Sequence, residues 1–139
     1  MDYEYLEHTA DAEFIAYGAT LDEAFVNAAR ATFALIVDPG RVKPELDREV
    51  RLTAESLEYL LYDWLSELLY LTEVERLVFA RFEVRVTGSD GSYELIGRAF
   101  GEPVHPGHEV SLHIKAVTYH DLRVEKKNAK YEVQVLLDI

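Results

Sequence analysis

Two short stretches carry oxygen-donor side chains where a strand would end. His8-Thr-Ala-Asp11 closes the first predicted strand, with Asp11 and Glu13 flanking its exit. The other stretch is the end of the sequence, where a strand pattern runs to Ile139 with no polar tail. Period-two counting sets Asp138 on the face of Glu132 and Gln134, opposite Tyr131, Val133, Val135 and Leu137. Terminal residues usually fray unless something ties them down. If this strand is ordered to its end, the terminal carboxylate is held beside the Asp138 side chain. Two negative groups fixed that close repel by roughly 1 to 4 kcal/mol, depending on the effective dielectric. A bound hard cation offsets that repulsion, and oxygen-only ligands favour Ca²⁺ or Mg²⁺ over zinc. The alternative is that Asp138 is a solvated acid at the end of a strand.

The last hairpin adds a basic residue to this region. If Asn128-Ala129 is its two-residue loop, Lys127 pairs with Lys130, and counting outward places Tyr119 opposite Asp138. Lys115 then lies a few residues beyond the chain end, on the Asp138 side of the sheet, within approach of the carboxylates. A bulge at His120-Asp121 would change that register, and Lys115 is otherwise an exposed strand lysine. Elsewhere the chemistry is sparse. His105, His108, His113 and His120 lack a Glu at the His-Glu-x-x-His spacing, and two sit in a Pro/Gly loop, so they read as surface histidines. No glycine-rich phosphate loop occurs, and no serine stands in a nucleophile-elbow context.

The elements that must position these residues follow from periodicity. Residues 3–10 read as a first strand, with Tyr3 and Tyr5 on one side and Leu6 and His8 on the other. Thr20-Leu-Asp-Glu23 matches a capping box. Leu21, Ala24, Phe25, Ala28, Ala29, Phe33 and Ile36 follow at helical spacing until Asp38-Pro39-Gly40 stops the helix. A short strand, Glu49 to Thr53, leads to a second helix starting near Ser56, with its stripe on Leu57, Leu60, Leu61, Trp64, Leu65, Leu68 and Leu69. The remainder is β. Val78 to Val86 alternates, Ser89-Asp-Gly91 turns into Tyr93 to Ala99, Val110 to Ala116 forms the next strand, and Tyr131 to Leu137 the last. This order predicts one α+β domain over residues 1–139, with two helices packed on one face of a largely antiparallel β-sheet.

Composition excludes several classes. The 139 residues are 49% hydrophobic and 29% charged, enough for a core and unlike a disordered chain. Fourteen Lys and Arg against 26 Asp and Glu give a formal charge of -12, which repels phosphate backbones and argues against direct, sequence-specific nucleic-acid binding. Zero cysteines exclude a disulfide scaffold, a Cys-based zinc site and a thiol nucleophile. No signal peptide is expected, and the most apolar stretch, Leu57 to Leu71, is broken by Glu58, Asp63 and Glu67. A cytoplasmic protein without a membrane partner is therefore expected. The scarcity of Gln, Asn and Met, with Gln134 the only glutamine, points to a thermophilic source.

Three segments taken together resemble the archease family: His8-Thr-Ala-Asp11, Lys115-Ala-Val-Thr-Tyr-His120, and Val135-Leu-Leu-Asp138-Ile139 ending the chain. Each is short, but their joint occurrence in order is specific, and the resemblance covers essentially the whole chain. It implies an accessory protein rather than an enzyme: one that promotes guanylylation and multiple turnover of the GTP-dependent RNA ligase of tRNA splicing. It further implies a metal site built from Asp11, Asp138 and the terminal carboxylate of Ile139, with Ca²⁺ as the expected ion and Mg²⁺ or Mn²⁺ as alternatives. Lys115 matches the family's functionally important lysine, acting on the protein partner. A general chaperone or modulator of RNA-modifying enzymes, and a metal-dependent hydrolase using the same carboxylates, are the alternative functions.

Overall fold

The structure, a computed structural model, describes residues 1–6 and 11–139. Its two helices begin where the capping chemistry predicts. The Thr20 hydroxyl accepts the Glu23 N–H at 3.1 Å, opening α1 (Leu21–Ile36). The Glu23 carboxylate accepts from the Ala19 N–H at 3.4 Å rather than from Thr20, so the box closes one residue early. The Ser56 hydroxyl accepts the Tyr59 N–H at 3.1 Å and opens α2 (Leu57–Glu75).

The strands divide between two sheets, and every pairing is antiparallel. One sheet holds β3 (Leu46–Ala54), β4 (Leu77–Ser89) and β5 (Ser92–Pro103), with β5 central. Asp90 and Gly91, both at positive φ, form the tight turn between β4 and β5 that the sequence predicts. The other sheet holds β1 (Tyr3–Leu6), β2 (Asp11–Gly18), β6 (Ala116–Val117), β7 (Arg123–Lys127) and β8 (Lys130–Asp138). Here β8 is central: β2 pairs along one edge, and β6 and β7 share the other.

The α+β class stands, and the core lies where the helices meet both sheets. Helix α1 packs on β2 and β8 of one sheet and on β4 of the other, while α2 packs on β3, β4 and β5 and reaches β6 and β7. Trp64, Phe14, Phe25, Phe33 and Phe79 are fully buried between them. The Trp64 indole N–H donates to the Phe25 carbonyl at 3.1 Å, which satisfies its one polar atom and ties α2 to α1. Gly97 of β5 lies under that indole; a Cβ there would fall 2.6 Å from the ring, so only glycine fits. The Tyr5 hydroxyl donates to the Ala31 carbonyl at 2.8 Å and anchors the short edge strand to α1.

Three sequence expectations are corrected. The expected 3–10 strand is seen over Tyr3–Leu6, its remaining part (Glu7, His8, Thr9 and Ala10) lying outside the described residues, and a second strand, Asp11–Gly18, was not foreseen. Only Ala116–Val117 of the expected 110–116 strand pairs, because the register that sets Ala116 opposite Asp138 leaves no β8 residue facing 110–114. Tyr119 is not opposite Asp138. Lys127 does pair with Lys130, but the chain turns out of the sheet over Tyr119–Leu122, with Asp121 in the left-handed region at φ 58°, and re-enters three residues out of step.

Candidate functional site

That shift decides what surrounds the end of β8. Asp11, the first residue of β2, is the direct partner of Asp138, and Ala116 faces Asp138 from the other edge. The Lys115 backbone N–H donates to the Asp138 carbonyl at 2.7 Å. Lys115 thus stands level with the chain end instead of several residues beyond it, and because Ala116 takes the Asp138 face, alternation sets Lys115 on the opposite face rather than on the Asp138 side. Ile139 is half-buried and packs against the core, which holds the chain in place directly after Asp138. The structure therefore brings Asp11, Asp138, Ile139 and Lys115 to one end of the central strand.

The electrostatics of this end are unfavourable on their face. Directly opposed residues of an antiparallel pair have Cβ atoms about 4.5–5.5 Å apart, and like charges there destabilise the pairing. Asp11 is half-buried and Asp138 exposed, so both carboxylates stay close to water. The donor set is oxygen only, which suits a hard divalent cation. Glu13, two residues along β2 on the Asp11 face, is 6% exposed and accepts a hydrogen bond from the Gln134 amide at 3.1 Å.

A separate cluster was missed by sequence reasoning. Glu102 near the end of β5, with His105 and His108 around a 3-10 turn at Pro106–His108, offers ligand atoms that all lie within 4.8 Å of one another, so this group could hold a metal ion. His108 is 1% exposed, which corrects its reading as a surface histidine; His105, His113 and His120 are exposed. The Pro106-Gly107 turn folds the loop back on itself. His108 Nδ1 accepts the His105 backbone N–H at 3.0 Å, and His108 Nε2 meets Glu102 Oε2 at 2.9 Å. With Nδ1 accepting, the neutral ring carries its proton on Nε2 and donates it to the carboxylate. His105 stacks on His108 at 3.8 Å, and its Nδ1 accepts the Gly107 N–H at 3.0 Å. A metal ion here would have to displace protons from both Nε2 atoms.

Glu102 also accepts the Lys43 backbone N–H at 2.7 Å, and that bond, followed by His108, holds its carboxyl below the usual carboxylate range. The spacing Glu102-x-x-His105-x-x-His108 around Pro106-Gly107 is the signal that could have exposed the cluster, since a 3-10 turn brings His105 and His108 together at the end of β5.

Fold and site together define a small α+β protein whose central strand ends in opposed carboxylates beside a lysine. The profile of the Archease protein family (MTH1598/TM1083) matches residues 3–139. Proteins named archease from Methanosarcina mazei and Pyrococcus furiosus are 50% and 41% identical, the alignments covering 99% of this chain and 95% and 98% of theirs. The solution structure of Methanobacterium thermoautotrophicum protein 1598 superimposes with a TM-score of 0.89 at 38% identity, covering 99% of each chain. The crystal structure of a Thermotoga maritima archease, titled a possible chaperone, shares the fold at a TM-score of 0.57 and 20% identity, covering 96% of this chain and 94% of that one. This chain belongs to the archease family. No helix among the described residues is long and apolar enough to cross a membrane.

Proposed function

We propose that the chain is an accessory protein that promotes guanylylation and multiple turnover of a GTP-dependent RNA ligase in tRNA splicing. The observation that carries this reading is the convergence at one strand end of Asp11, Asp138, Ile139 and Lys115, the four positions marked by the family resemblance. Asp11, Asp138 and the Ile139 carboxylate would hold a divalent cation, Ca²⁺ in first place. Bound there, the cation neutralises the repulsion between them. Lys115 is exposed at the same end, free to present its ammonium group to a partner's active site. The charge of -12 steers the protein toward a basic, RNA-binding enzyme and raises the rate of encounter.

The test uses catalytic amounts of the protein with a cognate ligase and GTP. Wild type accelerates guanylylation, and Lys115→Ala abolishes the acceleration while shifting stability by no more than about 0.5 kcal/mol, as exposed substitutions usually do. Equal guanylylation rates with and without the protein contradict the proposal. The hydrolase reading is weakened by Glu13, the neighbouring acid best placed to activate water, because it is buried and engaged with Gln134. A chaperone would instead suppress aggregation of unrelated proteins, and Asp138→Ala would leave that suppression intact.

A further inference from the structure

The chain leaves the sheet at Tyr119 for a structural reason, the register shift between β6 and β7, and the excursion places an aromatic ring against the outside of α2. The Tyr119 ring stacks on Tyr62 at 4.1 Å with 10° between the planes, and it meets Tyr59 edge-on at 5.8 Å. Of the three rings, Tyr62 alone packs partly against the core. Tyr119 is 58% exposed and Tyr59 47% exposed. Asp63 follows Tyr62 on the helix; burial first, then Tyr62, then the charge of Asp63 raise the Tyr119 hydroxyl. Burial alone pushes the Asp63 carboxyl up, and no hydrogen bond or ion pair among the described residues reaches it. A partly desolvated carboxylate without a cation, set beside exposed aromatic faces, is an incomplete site.

We propose that Tyr59, Tyr62, Asp63 and Tyr119 form a docking site for an arginine side chain on the basic surface of the partner ligase. Guanidinium is the group that this combination fits. It stacks on aromatic faces, is weakly hydrated, and pairs with a carboxylate through several donors at once. A second copy of this chain is disfavoured by the charge of -12, and a nucleic-acid phosphate is repelled by Asp63. Tyr119 lies three residues after Ala116, the direct partner of Asp138. An arginine anchored on the tyrosines would therefore hold the partner beside the strand end that carries Lys115. The inference rests on the accessory-protein reading and deepens it by naming the contact.

The experiment measures binding of the cognate ligase to wild type, Tyr119→Ala, Asp63→Asn and Tyr119→Phe, together with ring resonances during titration with a blocked Gly-Arg-Gly peptide and a Gly-Lys-Gly control. Tyr119→Ala and Asp63→Asn should each weaken ligase binding by at least about tenfold, whereas Tyr119→Phe, which keeps the ring, should stay near wild type. The melting temperature and its response to Ca²⁺ should be unchanged in all three, which separates docking from folding and from the strand-end site. The arginine peptide should shift the Tyr119 and Tyr59 resonances more than the lysine peptide does, and Asp63→Asn should erase the difference. If wild type binds the ligase and the variants bind equally well, the docking site is wrong while the accessory role stands. If wild type does not bind the ligase, the accessory role is wrong. The peptide titration then decides the site by itself: an arginine-selective shift lost in Asp63→Asn supports it, and the absence of any such shift overturns it.

Discussion

At Glu102 a carboxylate meets donors, from the Lys43 backbone at 2.7 Å and from His108 at 2.9 Å, whereas at Asp138 a carboxylate faces the carboxylate of Asp11 across the strands. The first arrangement completes itself. Because its polar atoms find partners within the chain, His108 can be buried without loss, and the β5 end is fastened to the loop before β3. The second arrangement sets two carboxylates opposite each other at a strand end that water reaches, where a cation from solution can approach them. One polar cluster therefore serves stability and the other is open to function, although both consist of ordinary titratable side chains. Burial, rather than residue type, separates them.

Breaking the first cluster should have the largest effect on stability. His108→Ala opens a cavity and leaves the His105 N–H without its acceptor, and should destabilise the protein by about 2–4 kcal/mol in denaturant unfolding. Its calcium response should remain. A stable His108→Ala protein that has lost the calcium response would reverse the roles assigned to the two clusters.

Asp11→Asn attacks the second cluster. It preserves shape while removing one charge from the proposed site. At a calcium concentration 100-fold above Kd, binding stabilises the folded wild type by about 2.7 kcal/mol, visible as a rise in melting temperature, and Asp11→Asn should show little of it. Without calcium the variant should differ from wild type by less than the calcium increment that it loses. A full calcium response in Asp11→Asn would exclude this residue as a ligand.

How far these regions could be read from sequence differs for the same physical reason. Both helices were legible because their starts and stripes are local signals: Thr20 caps as expected, the second helix starts at Ser56 as expected, and the apolar positions from Leu21 and Leu57 face inward. The two tight hairpins were legible from Asp90-Gly91 and Asn128-Ala129. Strand β2 was not, because its inward face of Ala12, Phe14, Ala16 and Gly18 carries one bulky residue only. The four residues at the strand end were named from resemblance, but their meeting depends on long-range register. An excursion at Tyr119–Leu122, marked only by Asp121 at positive φ, shifted the register by three residues and moved the whole of β6 along β8. The Glu102–His108 cluster stayed hidden because a Pro-Gly loop reads as exposed until its 3-10 turn is seen.

The smallest effect sharpens the comparison through pH. Glu102 is held below the ordinary carboxylate range, so its contribution is fully present above the unfolded value near about pH 4.3 and is lost as pH falls through the lowered folded value. Acid unfolding followed by circular dichroism should show a loss of stability below about pH 4 that is shallower in Glu102→Gln than in wild type. Identical acid limbs would mean that Glu102 does not carry this dependence.

The most direct measurement concerns the α-carboxylate of Ile139, which a neutral C-terminal extension converts to a peptide amide while leaving the packing of Tyr131 to Leu137 intact. Calcium titration and ligase guanylylation are measured for the protein as it stands, for that extended form, and for one carrying the same extension before Met1. A sharp fall in both calcium affinity and guanylylation for the C-terminal extension alone, with an unchanged fold, is the predicted result. A C-terminally extended protein that binds calcium and activates the ligase as well as the original would contradict the account and return Asp138 to a solvated acid at the end of a strand.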